Sequence, residues 1–104
     1  MSKSQRDKGA SFERETCSLL NDELGVDVGR NLGQSRDGGD DITLGKYRIE
    51  CKRRASIALY EWWEQVNKAA NVGEIPVLAI RADRKERLWV IDDKTMMMFL
   101  RGEI

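Results

Sequence analysis

Two carboxylates and one ammonium group occur at spacings that suit phosphodiester hydrolysis. Asp41 precedes the apolar run 42–44, and Glu50 and Lys52 lie in the next β-forming run. In adjacent strands the three would meet, because residues two apart share a strand face, roughly 6–7 Å apart. A carboxylate-held Mg²⁺ activates water and clamps phosphate, and a lysine neutralises the charge that builds on phosphorus. The segment therefore predicts a metal-assisted hydrolytic site.

Three further residues bear on this interpretation. Glu13, on a predicted N-terminal helix, is a third acid that can complete the metal shell, and Asp40 stands directly beside Asp41. The alternative is a solvated strand face on which Glu50 pairs with a neighbouring cation, Lys52 or Arg48. The polar, glycine-rich loop 33–39 just before the first acid favours a functional site.

Composition limits the chemistry. The chain has 104 residues, 35% of them charged, with zero net charge and no histidine. Catalysis must then use carboxylates, lysine and metal-bound water. Zero net charge does not favour bulk attraction to nucleic acid, although a local basic patch still binds phosphates. No apolar run can span a membrane and the polar N-terminus is not a signal peptide, so we expect no membrane partner and a cytoplasmic location.

The length suits one domain, residues 1–104, with residues 1–8 expected to be disordered. The predicted order is α-β-β-β-α-β-β-α, typical of an α/β fold with a mixed sheet flanked by helices. The predicted elements are a helix from Gly9 to Leu24 with Ser11 as a possible cap and Gly25 as its stop, strands at 26–32, 41–44 and 47–53, a helix at 57–72, strands at 76–80 and 88–91, and a last helix capped by Asp92 or Asp93. Both cysteines are expected to be reduced core thiols.

The run Asp40-Asp41-Ile42, followed by Glu50-Cys51-Lys52, resembles the PD-(D/E)xK nuclease superfamily, with Asp40 in place of the usual proline. Residues 9–15, Gly-Ala-Ser-Phe-Glu-Arg-Glu, resemble the opening of archaeal-type Holliday-junction resolvases. The similarity spans residues 9 to 90. It implies a restriction-endonuclease-like fold and a Mg²⁺-dependent endodeoxyribonuclease, with Mn²⁺ able to substitute, encoded by a bacterium, archaeon or phage.

The resemblance also implies roles for single residues. Asp41 and Glu50 correspond to the principal metal ligands, Glu13 to the helix acid and Lys52 to the catalytic lysine. Asp41 is preferred to its neighbour because it directly precedes the apolar strand, as the family acid does. Gln65 corresponds to a glutamine that several branches place near the site.

Basic and polar residues are expected to contact DNA. Arg14 and Arg30 are candidates for phosphate contact, and Ser35 and Arg36 lie on the loop where resolvases carry a mobile serine. The hairpin is locally basic and its cations suit phosphates, although a charged strand edge is the alternative. Its candidates are Arg53 and Arg54. A second basic run, 81–87, is expected to be a plain charged turn.

The leading hypothesis is a structure-selective nuclease resembling a Holliday-junction resolvase. Its partner is then DNA, which under this hypothesis is branched. The alternatives are a general, nicking or repair-type nuclease of the superfamily, or a noncatalytic DNA-binding module. Four intact key side chains disfavour the last. The apolar run 96–100 suggests either a homodimer interface or a simple core helix. The resemblance to resolvases, which make two symmetric cuts as twofold dimers, favours the homodimer.

Overall fold

The computed structural model of the chain describes residues 2–31 and 41–104. In this part of the chain, five strands form one mixed sheet in the order β1-β2-β3-β4-β5, flanked by three helices. The elements are α1 Lys3–Leu24, β1 Arg30–Asn31, β2 Asp41–Leu44, β3 Tyr47–Arg54, α2 Leu59–Ala69, β4 Ile75–Ala82, β5 Leu88–Val90 and α3 Asp93–Leu100. This order confirms the predicted restriction-endonuclease-like α/β fold.

Two connections set the geometry of the sheet around the acids. Strands β2 and β3 pair as an antiparallel hairpin across the two-residue turn Gly45-Lys46, where Gly45 has φ +57°. Glycine adopts this left-handed conformation without a steric penalty. Strands β3 and β4 are parallel, and α2 forms the crossover that a parallel pair needs.

Alternate residues of β4 face opposite layers of the core. Val77 and Ala79 pack in the cluster under α1, whereas Leu78 and Ile80 pack against α2. The strand is thus buried on both faces, which explains its unbroken apolar run. The α1 cluster comprises Phe12, Cys17, Leu20, Ile42, Ile49, Cys51, Val77 and Ala79, and the α2 cluster comprises Trp62, Val66, Leu78 and Ile80. The two cysteines are free thiols, as predicted.

Helix α1 begins earlier than the apolar pattern predicted. Ser2 caps it in a reciprocal arrangement: its Oγ accepts from the Gln5 backbone N–H, and the Gln5 side chain accepts from the Ser2 N–H, both at 3.2 Å. This capping box satisfies donors that would otherwise be unpaired at the helix start. Residues 3–8, expected to be disordered, are therefore helical, and Ser11 lies inside the helix. Gly25 ends α1 as predicted, with φ +65°.

Several other boundaries also differ by one or more residues from those predicted. Of the strand expected at 26–32, the described residues 26–31 contribute Arg30–Asn31 to the sheet. The Asn21 side chain instead accepts from the Val28 N–H at 2.7 Å and donates to the Val28 carbonyl oxygen at 3.1 Å. Helix α2 ends at Ala69 because Ala70 is extended. Asp92 is the residue that caps α3, its carboxylate accepting from the Thr95 N–H at 2.9 Å.

None of the helices in the described residues has the length and apolar character needed to cross a bilayer.

Candidate active site

The hairpin register places two acids directly opposite each other. Asp41 at the start of β2 pairs with Glu50 in β3. Directly opposed residues of an antiparallel pair share one sheet face, with Cβ atoms about 4.5–5.5 Å apart. Lys52 follows on the same face, since it lies two residues further along β3. The structure thus brings together the acids and the lysine of the predicted constellation.

This cluster is enclosed on the α2 side of the sheet. Asp41 and Lys52 are each 5% exposed, and the Lys52 Nζ lies 3.7 Å from the Glu50 Oε1. Burial raises the pKa of Glu50, and the charges of Asp41 and Glu13 raise it further. Lys52 and Arg48 act in the opposite direction without cancelling the shift. The pKa of Glu50 is therefore raised chiefly because its carboxylate is removed from water.

Arg48 is a further member of the cluster, which the sequence indicated as a partner of Glu50 or as one of the basic residues of the hairpin. Its guanidinium forms an ion pair with Asp41, and its other terminal nitrogen lies 3.7 Å from Glu74. The register pairs Arg48 with Thr43. Arg48 is therefore diagonal to Asp41, within reach of a long side chain. This position of Arg48 could have been predicted from the sequence, because a two-residue turn fixes which residues of the two strands are paired.

Glu13 approaches from the α1 layer. It is 4% exposed, and its Oε2 accepts from the Arg30 Nε at 2.7 Å. Its charge acts on Glu50, yet residues 2–31 and 41–104 contain no group of three or more acids, cysteines or histidines placed to hold an ion together. The role of Glu13 as a third ligand stays a prediction.

The donor set fits a hard divalent cation held by two carboxylates. Mg²⁺ is commonly bound by one or two carboxylates together with substrate phosphates and water. Asp41 and Glu50 are opposed in the sheet, and the raised pKa of Glu50 marks a place where added positive charge would be favourable. An N–O distance of 3.7 Å is too long for a hydrogen bond, so Lys52 contributes to this site mainly through its charge.

The structure describes four further residues that the sequence singled out for the site. Gln65 is exposed on α2, and Arg14 is exposed on α1. Arg53 lies 3.8 Å from Asp83, and the Arg54 side chain donates to the Arg53 carbonyl oxygen at 2.8 Å. Their roles stay predictions. The remaining candidates fall outside the described residues, namely Ser35, Arg36 and Asp40.

The order of these residues along the chain is that of a PD-(D/E)xK motif, with an acid at Asp41 and Glu-x-Lys at 50–52. Residues 4–103 match the profile of a family described as phage putative PDDEXK endonuclease. The chain belongs to this family. The predicted superfamily is thereby confirmed, whereas the likeness to archaeal resolvases stays a prediction. Neither the curated proteins nor the solved structures gave a significant match.

Membership of the phage PDDEXK family supports nuclease activity and a divalent metal cofactor, which PDDEXK nucleases generally use. In this member, Asp41 and Glu50 are the residues that would hold such a cation, and the cation would supply Lewis-acid activation of water. Lys52 presents a buried ammonium beside them, where it can stabilise negative charge on a bound phosphate. Arg48 forms an ion pair with the Asp41 carboxylate and so helps to fix its position beside Glu50.

Proposed function

We propose that the chain is a Mg²⁺-dependent endodeoxyribonuclease that hydrolyses phosphodiester bonds of DNA. The observation that supports this most directly is the opposed pair Asp41 and Glu50 with Lys52 buried beside it, within a fold of the PDDEXK family. Asp41 and Glu50 bind the metal, and Mn²⁺ can replace Mg²⁺ because both accept oxygen ligands. Lys52 faces the scissile phosphate.

Two more residues complete the proposed reaction centre. Glu13, whose charge reaches Glu50, contributes a third acid either to the metal or to its bound water. Gln65 lies on α2, the helix that covers the same sheet face as the acids, and orients the attacking water or the phosphate. The cations that contact the DNA backbone are Arg14, Arg30, Arg36, Arg53 and Arg54, with Ser35 as a hydroxyl donor.

The substrate that we propose is DNA with a branched or otherwise irregular structure, as the resolvase-like opening at 9–15 supports. Phosphate contacts position a protein on DNA without reading its sequence. An enzyme that relies on such contacts distinguishes the shape of its substrate better than its bases. A general nicking or repair-type nuclease is the alternative within the same chemistry.

A homodimer would give two such sites the twofold relation that paired cuts need. The surface that supports it is α3, on which four apolar side chains are at least 37% exposed. These are Met96, Met97, Phe99 and Leu100. Phe99 also stacks on Tyr47, with ring centroids 6.4 Å apart. Light scattering should give a dimer at micromolar concentration, and a monomer there would contradict both the interface and paired cutting.

A panel of end-labelled DNAs tests the function. Four-way junction, flap, nicked duplex, intact duplex and single strand are each incubated with the protein and Mg²⁺, Mn²⁺ or Ca²⁺. Cleavage of the junction or flap in Mg²⁺ and Mn²⁺, with binding but little turnover in Ca²⁺, is the expected result. Equal cutting of intact duplex would favour a general nuclease. Binding without cleavage of any substrate would favour a noncatalytic module.

Matched variants assign any cleavage to the proposed site. Asp41→Asn, Glu50→Gln and Lys52→Ala should each reduce cleavage by at least ~100-fold while retaining DNA binding. Lys68→Ala, which removes an exposed lysine of α2, serves as the control for lost positive charge and should cut normally. If the Asp41→Asn variant cleaves DNA at the parental rate, the assignment of the active site to this cluster is refuted.

A further inference from the structure

A groove beside Lys52 is lined by residues that have no role in the proposed hydrolytic site. Its volume is about 380 Å³, within the roughly 300–1,000 Å³ typical of small-ligand sites. Ile80 lines it, and Ile80 is the register partner of Lys52 in the adjoining parallel strand. Parallel partners share a sheet face and neighbouring strands lie about 4.8 Å apart. The groove therefore begins one strand away from the lysine.

The groove combines apolar walls with a basic rim. Ile57 and Leu88 line it and remain 36% and 54% exposed, so apolar side-chain surface is accessible in the groove. Its charged lining comprises three cations and one acid, namely Arg81, Arg84, Lys85 and Glu86. Apolar walls suit the face of a nucleobase, and an excess of cations suits the phosphates that flank it.

The turn that forms the rim holds an arginine in a conformation that glycine prefers. Arg84 has φ +64°, and it is the one non-glycine residue with positive φ in residues 2–31 and 41–104. The turn closes with the Lys85 N–H donating to the Ala82 carbonyl at 3.1 Å. Positive φ is unfavourable for a branched or long side chain, and such strain concentrates at functional positions.

Neighbouring contacts hold this turn in place. Asp83 accepts a hydrogen bond from the Lys8 Nζ at 2.9 Å and lies 3.8 Å from Arg53, so the turn is tied to both α1 and β3. The Arg81 Nε donates to the Lys85 carbonyl oxygen at 2.7 Å. Arg84 itself is exposed. Its side chain is thus presented to solvent from a fixed and strained backbone.

We propose that this groove binds an unpaired nucleotide adjacent to the scissile phosphate. The base lies against Ile57, Ile80 and Leu88, and Arg84 and Lys85 contact its flanking phosphates. A base paired within a duplex cannot present its face to the groove, so the site selects DNA with a single-stranded segment next to the cut. This inference rests on the proposed nuclease function and narrows its substrate to flaps, overhangs and single strands.

Substituting Arg84→Gly separates a binding role from a structural one. Glycine relieves the strain, so the melting temperature should stay level or rise. Fluorescence anisotropy in EDTA, where no cleavage occurs, should show at least ~5-fold weaker binding of a labelled oligothymidylate and a smaller loss for a blunt hairpin duplex. Leu88→Ser, which removes an exposed apolar contact, should likewise weaken binding of the single strand. The control Arg101→Gly removes the same charge at the end of α3. It should weaken binding of neither the single strand nor the hairpin duplex.

Three outcomes would overturn the proposal. These are unchanged affinity in both groove variants, an equal loss for single strand and duplex, and a lower melting temperature in Arg84→Gly that accounts for the weaker binding. Failure of the nuclease function would appear elsewhere, as cleavage that survives Asp41→Asn or no cleavage by the parent protein. Because the binding assay contains no metal, it reports on the groove even if that function fails.

Discussion

Asp41 and Glu50 are directly opposed across the β2–β3 hairpin, which sets two negative charges against each other inside a covered face of the sheet. Like charges in this arrangement are destabilising. Arg48 and Lys52 lie close enough to offset part of the repulsion, yet burial of Glu50, together with the charge of Asp41, keeps its pKa raised. The fold therefore tolerates an unfavourable charge cluster that a divalent cation would relieve.

Glu50→Gln should stabilise the metal-free protein at neutral pH. The raised pKa of Glu50 means that the folded state binds its proton more tightly than the unfolded state does. Stability is therefore lost as pH rises from the ordinary glutamate pKa of 4.5 through the raised value, and the full penalty persists above it. Thermal melts in EDTA should show a higher melting temperature for the variant at pH 7.5 and no difference at the lowest pH at which both proteins fold.

The control for this prediction is Glu64→Gln, at an exposed position of α2. It should shift the melting temperature little, and equally at both pH values. A variant at Glu50 that is less stable than the parent at pH 7.5 would show that loss of the Lys52 partner outweighs the relieved repulsion.

Divalent metal should stabilise the parent protein through Asp41. A ligand that binds only the folded state raises stability by mass action, by about 2.7 kcal/mol at one hundred times its dissociation constant. Mg²⁺ or Mn²⁺ titrated into a thermal melt should raise the melting temperature of the parent but not that of Asp41→Asn. Asp22→Asn, an exposed change on α1, should respond like the parent. An equal response in Asp41→Asn would place the ion elsewhere.

Glu13→Gln should have the opposite effect on stability to the change at Glu50. Its carboxylate is nearly enclosed and accepts from Arg30 at 2.7 Å, whereas the Arg30 side chain is 19% exposed. Losing one partner of such a pair leaves a poorly solvated cation and should cost about 2 kcal/mol in urea unfolding. A double-mutant cycle with Arg30→Gln isolates the pair, and purely additive losses would show that the contact contributes nothing.

Cys51 should resist alkylation in the folded protein. Burial raises the pKa of its thiol to about 12, while the side chain of Thr16 offsets this in part by hydrogen bonding. Only the thiolate reacts appreciably with iodoacetamide, and at pH 8 this group is almost entirely protonated. Mass spectrometry should find Cys51 unmodified in native protein and both cysteines modified in urea. Rapid native modification would show that the α1 layer opens readily.

Much of the site was predictable because it is local in sequence. The two-residue turn at Gly45-Lys46 sets the β2–β3 register, and that register alone opposes Asp41 to Glu50. Strand periodicity then places Lys52 on the same face. The capping box at Ser2 was also present in the sequence. It was missed because the apolar pattern that marks the buried face of α1 begins several residues later.

The amino-acid sequence by itself determined the order of elements and the meeting of two acids with a lysine, since hairpin register and strand alternation are short-range properties. Only the tertiary structure decided that Ile80 lies beside Lys52 and that Arg30 forms an ion pair with the Glu13 carboxylate. Parallel pairing of β3 with β4, and the packing of α1 on the sheet, join segments far apart in the chain. Their relative positions depend on how whole layers pack, which no local pattern of residues specifies.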